Sequence, residues 1–241
     1  MRYGIFSDVH ANLEALETIL SAFKKEQIDK YICLGDIVGY GADPDKCITL
    51  IKKLDSINIA GNHDWAVAGI MDYADFSPDA AYAVAWTQNK ITKTDHLFLK
   101  KLELKYEDNN LSCVHSALVN SDKFPYIYNY ADALTSFYKI RKNICFIGHT
   151  HIPRIFCFNA ETILILDKMH FKINLDHLYL CNVGSVGQPR DYNPQAAYCI
   201  YDTKKKLVEI KRISYNITQA QYKIRKAKLP EFLAKRISQG R

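Results

Sequence analysis

Residues 3–10 (YGIFSDVH), 31–36 (YICLGD) and 57–64 (INIAGNHD) share one arrangement, a short apolar run that ends in Asp, His or Asn. Between these runs, residues 12–25 and 43–54 carry apolar side chains at the spacing of one helix face. Short strands that alternate with amphipathic helices are typical of βαβ units, which build parallel sheets. Because ligands collect at the carboxyl ends of such strands, we expect the polar residues after the three runs to meet there.

The rest of the chain predicts further helices and then strands. Ser77-Pro78 and Thr94 begin two helical segments, and Asp108-Asn109-Asn110 forms the turn of a predicted hairpin. A helix near 131–140 precedes six predicted strands, at 144–147, 154–158, 162–166, 178–182, 197–201 and 207–213. The short connections between the later strands favour antiparallel pairing. The sequence predicts an α/β fold in a single domain, residues 1–241, with a basic helical segment at about 216–241.

The composition is that of a globular protein. Of 241 residues, 48% are hydrophobic and 24% are charged, which excludes a disordered or fibrous chain. The net charge of +6 is local, since residues 201–241 hold 12 Lys and Arg against 3 Asp and Glu, leaving 20 against 23 for the remainder. We expect these basic helices to face solvent and to pack through Ile217, Tyr222, Ile224, Phe232 and Leu233. Because the positive charge is confined to this tail, the net charge of the whole protein does not indicate a nucleic-acid-binding protein, and we do not expect nucleic acid as a partner.

The seven cysteines are odd in number and lie mostly in apolar runs such as Tyr31-Ile32-Cys33-Leu34, so we expect reduced core thiols. No segment approaches the ~18–20 consecutive apolar residues that cross a bilayer, and the first residues do not form a secretion signal. These features predict a soluble cytoplasmic protein.

Two more segments place possible metal ligands after apolar strands, namely Val114-His115 and Gly148-His149-Thr150-His151. Imidazoles mixed with carboxylate and amide oxygens suit Zn, Fe, Mn or Ni. Across the five segments the candidates are Asp8, His10, Asp36, Asn62, His115, His149 and His151. Seven donors exceed the needs of one tetrahedral ion and suit two ions that share a carboxylate. His149 and His151 are one residue apart, and alternation at a strand end would point both the same way.

The order of these blocks, DxH, GD, GNHD, H and GHTH, resembles the calcineurin-like metallophosphoesterase superfamily. The stretches GDIVGYG, residues 182–191 (NVGSVGQPRD) and LPEFLAKRI resemble its small bacterial predicted-phosphoesterase branch. The resemblance covers essentially the whole chain. It implies a four-layered α/β/β/α sandwich that binds two divalent metal ions. We expect these ions to be Mn, with Fe, Zn, Ni or Co as alternatives.

The resemblance also implies roles for individual residues. Asp8, His10, Asp36 and His151 would hold one ion, and Asp36, Asn62, His115 and His149 the other, with Asp36 as the bridge. In this family a hydroxide that bridges the metals attacks phosphorus. His63 would donate a proton or hydrogen bond to the leaving group, with Asp64 orienting its ring. Tyr40, Ser185 and Arg190 are the candidate substrate contacts.

Gly39-Tyr40-Gly41 stands where serine/threonine phosphoprotein phosphatases carry Asp-Arg-Gly, so the phosphate-clamping arginine of that branch is missing. We therefore expect a phosphodiesterase that acts on a small-molecule or nucleotide-like phosphate ester, without a membrane partner. A phosphomonoesterase, a phosphoprotein phosphatase and a diadenosine-polyphosphate hydrolase are alternatives with the same metal chemistry. A non-catalytic metal-binding scaffold, as in the retromer subunit of this fold, is an alternative of another class. The oligomeric state stays open.

Overall fold

Two six-stranded sheets pack face to face in the computed structural model, which describes residues 1–241. The strands are β1 (Arg2–Phe6), β2 (Lys30–Cys33), β3 (Ile57–Asn58), β4 (Lys105–Glu107), β5 (Ser112–Val114), β6 (Ile144–Ile147), β7 (Arg154–Phe158), β8 (Ile163–Leu166), β9 (His170–Lys172), β10 (Leu178–Asn182), β11 (Ala196–Asp202) and β12 (Leu207–Ile213). The helices are α1 (Leu13–Lys24), α2 (Pro44–Lys53), α3 (Asn62–Val67), α4 (Pro78–Lys90), α5 (Lys93–Lys100), α6 (Tyr130–Phe137), α7 (Ile217–Lys226) and α8 (Glu231–Gln239).

The first sheet has the order β3-β2-β1-β11-β12-β9. Strands β1, β2 and β3 run parallel, as the βαβ pattern predicts, and Phe6 lies opposite Cys33. β11 joins β1 in antiparallel register, with Gly4 opposite Ile200. The sheet edge that bears Asp8 is therefore completed by a strand from the far end of the sequence.

The second sheet has the order β4-β5-β6-β10-β7-β8. β4 and β5 form the predicted hairpin, whereas β5, β6 and β10 are mutually parallel. The later strands β7 and β8 are antiparallel to their neighbours, as expected. Strand β9 was not predicted, because its three residues, His170–Lys172, are too short to show an alternating pattern; it pairs with β12 at the edge of the first sheet.

The layers account for the apolar residues of the sequence. Tyr3 and Ile32 from the first sheet meet Phe146 from the second in the core between the sheets. Helices α1 and α2 cover the outer face of the first sheet through residues such as Leu16 and Ile48. Helix α6 packs on the outer face of the second sheet. This confirms the four-layered α/β/β/α sandwich.

The basic C-terminal helices differ in part from the expectation. Ile224 and Leu233 are buried, but Tyr222 and Phe232 are more than half exposed and do not pack. Lys223 does not face solvent alone, since its Nζ lies 2.5 Å from Glu14 and 2.7 Å from Asp43. Asp43 precedes α2 but does not cap it through its side chain, because its carboxylate accepts from Lys46 and Lys223 instead.

All seven cysteines are buried and unpaired, in agreement with the prediction of core thiols. None of the eight helices combines the length and apolar character that crossing a membrane would require.

Candidate metal centre

The loops that follow the strands of both sheets meet at one edge and are fastened to each other by backbone hydrogen bonds. The amides of Asp8 and His10 donate to the carbonyls of Gly35 and Asp36, at 3.0 and 2.9 Å. The amide of Gly148, just after β6, donates to the carbonyl of His115 at 2.8 Å. These bonds bring the ends of β1, β2, β5 and β6 together, as the strand-end argument predicts.

Several of the candidate ligands have a left-handed backbone conformation. The φ angles are 55° at Asp8, 47° at His10, 52° at Asp36, 68° at His149 and 62° at His151. Such a conformation costs a non-glycine residue about 1 kcal/mol or more. His149 and His151 thus lie beyond β6 in a sharply turned loop, so strand alternation is the wrong reason for their proximity to the site.

Asp36 lies at the centre of the cluster. Its Oδ2 atom is 3.6 Å from Nε2 of His10 and 3.4 Å from Nε2 of His115. Its Oδ1 atom accepts a 2.8 Å hydrogen bond from the amide of His63. A side chain at Gly61 would collide with this carboxylate, so that position requires glycine. Burial favours the neutral acid, but the nearby His115 and His63 outweigh it and hold the pKa of Asp36 well below its usual range.

Asp8 faces the other side of the cluster. Its Oδ1 atom is 3.4 Å from Nε2 of His151 and 3.9 Å from Nε2 of both His10 and His115. The amide of His149 donates to the Asp8 carboxylate at 3.1 Å. Burial, together with the charge of Asp36, raises the pKa of Asp8 to about 6 against the opposing effect of His115.

Hydrogen bonds fix the orientation of three imidazoles. Nδ1 of His10, His115 and His151 lies 3.0, 2.7 and 2.6 Å from the carbonyl oxygens of Val38, Leu34 and Gln188, respectively. A carbonyl only accepts, so each Nδ1 carries the proton, and Nε2 faces the centre, where it offers a lone pair when the ring is neutral. Burial favours the neutral ring at His115, but the Asp36 carboxylate outweighs it and raises the pKa of His115 to about 9, so a cation here would replace a proton on Nε2. A ring held in this way is typical of histidine metal ligands.

The donor atoms separate into two groups that could each hold a metal ion. Asp8, His10, Asp36 and His151 form one group, and Asp36, His115 and His149 form the other. Asn62, the first residue of α3, has a buried Oδ1 atom with no hydrogen-bond partner, as have Nε2 of His115 and Nε2 of His149. Unpaired buried acceptors are costly, and a cation would satisfy all three.

The remaining lone pairs support the same fit. Nε2 of His10 and Nε2 of His151 lie only 3.1 Å apart although both are acceptors in the neutral rings. Burial lowers the pKa of both rings well below the usual value, so protonation does not relieve this contact. A divalent ion bound by both nitrogens would relieve the contact between their lone pairs. The residues present therefore fit two metal ions that share Asp36.

His63 lies beside this cluster and lines a cleft of about 610 Å³ that opens above it. Its ring packs 4.5 Å from that of Tyr40 and 5.0 Å from that of Phe76. Nδ1 is buried against Gly39 without a partner, which leaves Nε2 on the side of the cleft. Burial lowers the pKa of His63 to about 4.

Asp64 does not orient His63, contrary to the expectation. Its Oδ1 atom accepts from the amides of Ile37 and Val38, and its Oδ2 atom accepts from the amide of Gly61. Burial raises the pKa of this carboxyl to about 7. Asp64 instead holds the loops after β2 and β3 against each other, so its role is structural.

The three expected substrate contacts separate in the structure. Ser185 is fully buried, and its Oγ donates to the carbonyl of Asp8 at 2.9 Å, so it does not reach the cleft. Tyr40 and Arg190 do line the cleft. Nε and Nη2 of Arg190 donate to Oε1 of Gln188 at 3.2 and 2.8 Å, which fixes the guanidinium beside the Tyr40 ring.

Other residues of the cleft were missed by the sequence analysis. Tyr126 stacks on the ring of His149 with centroids 4.0 Å apart. Phe232 and Arg236 reach the cleft from α8, although their segment was interpreted as a solvated face. We call the candidate ligands Asp8, His10, Asp36, Asn62, His115, His149 and His151 the floor of the cleft, and Tyr40, Tyr126, Arg190, Phe232 and Arg236 its wall. The only sequence signal for the last two was the stretch LPEFLAKRI.

Residues 1–206 match the sequence model of the calcineurin-like phosphoesterase superfamily domain. The chain belongs to this superfamily. It is also 38% identical to an uncharacterized protein of Methanocaldococcus jannaschii, over 99% of this chain and 98% of the relative.

Solved structures agree with the family assignment. A metallophosphoesterase from Sphaerobacter thermophilus is 34% identical, with a TM-score of 0.85 over 100% of this chain and 99% of its own. A hypothetical protein from Pyrococcus horikoshii OT3 shares the fold at 19% identity, with a TM-score of 0.81 over 100% and 98% of the two chains. The family match and the metallophosphoesterase from Sphaerobacter thermophilus indicate that the chain is a phosphoester hydrolase. The superfamily uses divalent metals, and the buried Asp and His cluster could bind them.

Proposed function

We propose that the protein is a dinuclear metal-dependent phosphodiesterase acting on small-molecule or nucleotide-like phosphate esters. The observation that carries the proposal is the division of the floor into two donor groups that share Asp36, directly beneath a cleft with an arginine in its wall. Asp8, His10, Asp36 and His151 would hold one ion, and Asp36, Asn62, His115 and His149 the other. Imidazole-rich sites with oxygen donors favour Mn, Fe, Zn, Ni or Co, and we expect Mn to support activity.

When bound, the two ions supply a nucleophile derived from water and neutralise charge on the phosphoryl oxygens. The remaining steps fall to side chains of the cleft. Arg190, held by Gln188, presents Nη atoms to a phosphoryl oxygen and so supplies the guanidinium that the Gly39-Tyr40-Gly41 segment lacks. His63, whose ring is neutral because burial lowers its pKa, donates a hydrogen bond from Nε2 to the oxygen of the leaving group. Tyr126 and Phe76 exclude water from the outer part of the cleft.

A diester is favoured over a phosphoprotein by the shape and lining of the cleft. Phe76, Phe124 and Tyr126 provide apolar surface for an organic group, and the volume of about 610 Å³ suits a small molecule.

The buried, unpaired cysteines support the expected location in the reducing cytoplasm.

The test is hydrolysis of bis-p-nitrophenyl phosphate and p-nitrophenyl phosphate by metal-stripped protein to which Mn, Ni, Zn or Mg is restored. We expect turnover with Mn and a higher kcat/KM for the diester. His63→Asn should lower kcat by about 10–10²-fold with little change in KM, because the hydrogen bond to the charge that develops on the leaving oxygen is lost. A matched control is His170→Asn, which changes an exposed histidine of β9. The enzyme proposal fails if no ion restores turnover of either ester.

A further inference from the structure

We propose that Arg236, together with Arg190, which also faces the cleaved phosphate, forms a second anion subsite beside the metal centre, and that the substrate carries a second phosphate group next to the one that is cleaved. This inference rests on the proposed function, because it assigns the first phosphate to the metal-binding floor. It assigns to α8 a role in selecting the substrate.

The two guanidinium groups converge on one aromatic ring. The Cζ atom of Arg190 lies 5.7 Å from the centre of the Tyr40 ring, and that of Arg236 lies 5.9 Å from the same centre. Both side chains line the cleft above the floor. Residues 46 positions apart in the sequence thus place two like charges at a single point of the wall.

Neither guanidinium is paired with an acidic side chain. Arg2, Arg212 and Arg225 each pair with a carboxylate, whereas no Asp or Glu oxygen lies within 4.0 Å of Arg190 or Arg236. Burial and the charge of Arg190 lower the pKa of Arg236 to about 10, which reflects the cost of this arrangement. An anion between the two groups would remove that cost.

Positive side chains predominate above the floor of the cleft. There, Lys123, Arg190 and Arg236 line the cleft with Asp75 as the one carboxylate. The wall is therefore positive, whereas the carboxylates of Asp8 and Asp36 lie in the floor. A substrate with a single diester phosphate would bring one negative charge, whereas a substrate with two adjacent phosphates would match both the floor and the arginines.

Both arginines are held in place in advance. Arg190 is fixed by Gln188, and Nε of Arg236 donates to the carbonyl of Arg241 at 2.5 Å, which leaves the Nη atoms of Arg236 free. The amide of Tyr192 donates to the carbonyl of Gly240 at 2.8 Å and so joins the Arg190 loop to the end of α8. Preorganised donors lose little entropy when they bind an anion.

The two arginines lie at different depths. The amide of Arg190 donates to the carbonyl of His151 at 3.2 Å, and the Tyr40 ring packs 4.6 Å from that of His10, so this arginine adjoins the floor. Arg236 extends from α8, and its Cζ atom lies 4.9 Å from the centre of the exposed Phe232 ring. The second phosphate would therefore lie toward α8, with the cleaved phosphate over the metals.

The experiment compares binding of inorganic phosphate and of imidodiphosphate, a two-phosphate probe, to the full-length Mn-loaded protein by isothermal titration calorimetry. Arg236→Gln should weaken binding of imidodiphosphate by about tenfold, because a charge-assisted contact is lost, and change phosphate binding by less than about threefold. Arg236→Lys, which retains the charge but not the planar fork, should lie between wild type and Arg236→Gln.

Lys235→Gln is the matched control, since it removes one positive charge from an exposed neighbouring position of α8. It should leave the binding of both probes unchanged. Equal effects of Arg236→Gln on the two probes, or an equal loss in Lys235→Gln, would overturn the subsite. Absence of turnover by wild-type protein with every metal would refute the proposed function instead, and the binding comparison would still decide the subsite.

Discussion

The floor of the cleft comes from the ends of five strands and is buried, whereas the wall comes from three loops and a helix and is partly exposed. Every floor residue has 7% or less of its surface accessible, while Tyr126 and Phe232 of the wall are about half exposed. Floor side chains are fixed by backbone conformation and by hydrogen bonds to main-chain carbonyls. The wall is held mainly by aromatic contacts and a few polar bonds.

This difference separates the chemistry of the site from its selectivity. A buried floor with fixed donors can hold metal ions in one geometry for any phosphate ester. An exposed wall can change residue by residue without disturbing the fold. We therefore expect floor substitutions to abolish activity on all substrates and wall substitutions to change affinity for some of them.

The largest effect is expected from Asp36→Asn. This change removes the charge that both donor groups share, so kcat/KM for bis-p-nitrophenyl phosphate should fall by a factor on the order of 10³. Metal content measured by elemental analysis should fall in parallel. Asp75→Asn, at an exposed carboxylate of the same cleft, should remain within about threefold of wild type. Full activity and full metal content in Asp36→Asn would contradict the shared-ligand assignment.

Metal removal should have the next largest effect, measured as the melting temperature of the full-length protein. An ion present at a hundred times its Kd stabilises the folded state by about 2.7 kcal/mol, or roughly 5–10 °C for a chain of this size. Chelation should remove this increment and added Mn should restore it. Arg236→Gln should retain the increment, since Arg236 belongs to the wall. The same increment in Asp36→Asn would show that the ion binds elsewhere.

Ser185→Ala tests a residue that links the two regions. Its Oγ donates to the carbonyl of Asp8 and accepts from the amide of Gln188 at 2.8 Å, so its loss should cost about 1–3 kcal/mol of unfolding free energy. Urea denaturation measures this cost, and Ser238→Ala at an exposed position of α8 should be neutral. A raised KM with unchanged stability would instead restore Ser185 as a substrate contact.

The smallest effect is expected from Phe232→Ala. The ring is 53% exposed and covers little of the core, so stability should be unchanged while KM for the aromatic diester rises by about threefold to tenfold. Steady-state kinetics separates this rise from an effect on kcat. Tyr222→Ala, an equally exposed aromatic residue of α7 outside the cleft, serves as the control. An equal rise of KM in both variants would show that Phe232 does not contact the substrate.

Most of the fold could be predicted from the sequence because its signals are local. The apolar runs of β1 and β2 and the helical faces of α1 and α2 lie within short windows, and the structure contains all four. The pairing of β1 with β11 could not be predicted in this way, since it joins residues almost 200 positions apart. The short strand β9 left no pattern at all.

The same distinction between local and long-range signals applies to the candidate site. The strand-end residues of the floor were singled out by residue type and position, and the structure brings them together. The reason given for His149 and His151 was wrong, because the residues adopt left-handed conformations that no spacing rule reveals. Tyr40 and Arg190 of the wall were singled out, but Tyr126, Phe232 and Arg236 were missed, since the position of Arg236 depends on how α8 packs against Tyr40. Asp64 and Ser185 were misassigned because sequence does not distinguish a carboxylate or hydroxyl bonded to the backbone from one that is free.

The pairing of β1 with β11 has a consequence for biogenesis. Asp8, Asp36 and Asn62 leave the ribosome early, but the Asp8 loop is closed by amides of Val186 and Gly187, at 3.0 and 2.9 Å, and by β11 beside β1. At 5–20 residues per second, roughly 7–28 s of synthesis separates Asn62 from the last residue of β11. The nascent chain therefore exposes carboxylates and imidazoles well before their pocket closes, so metal acquisition belongs to the final stage of folding.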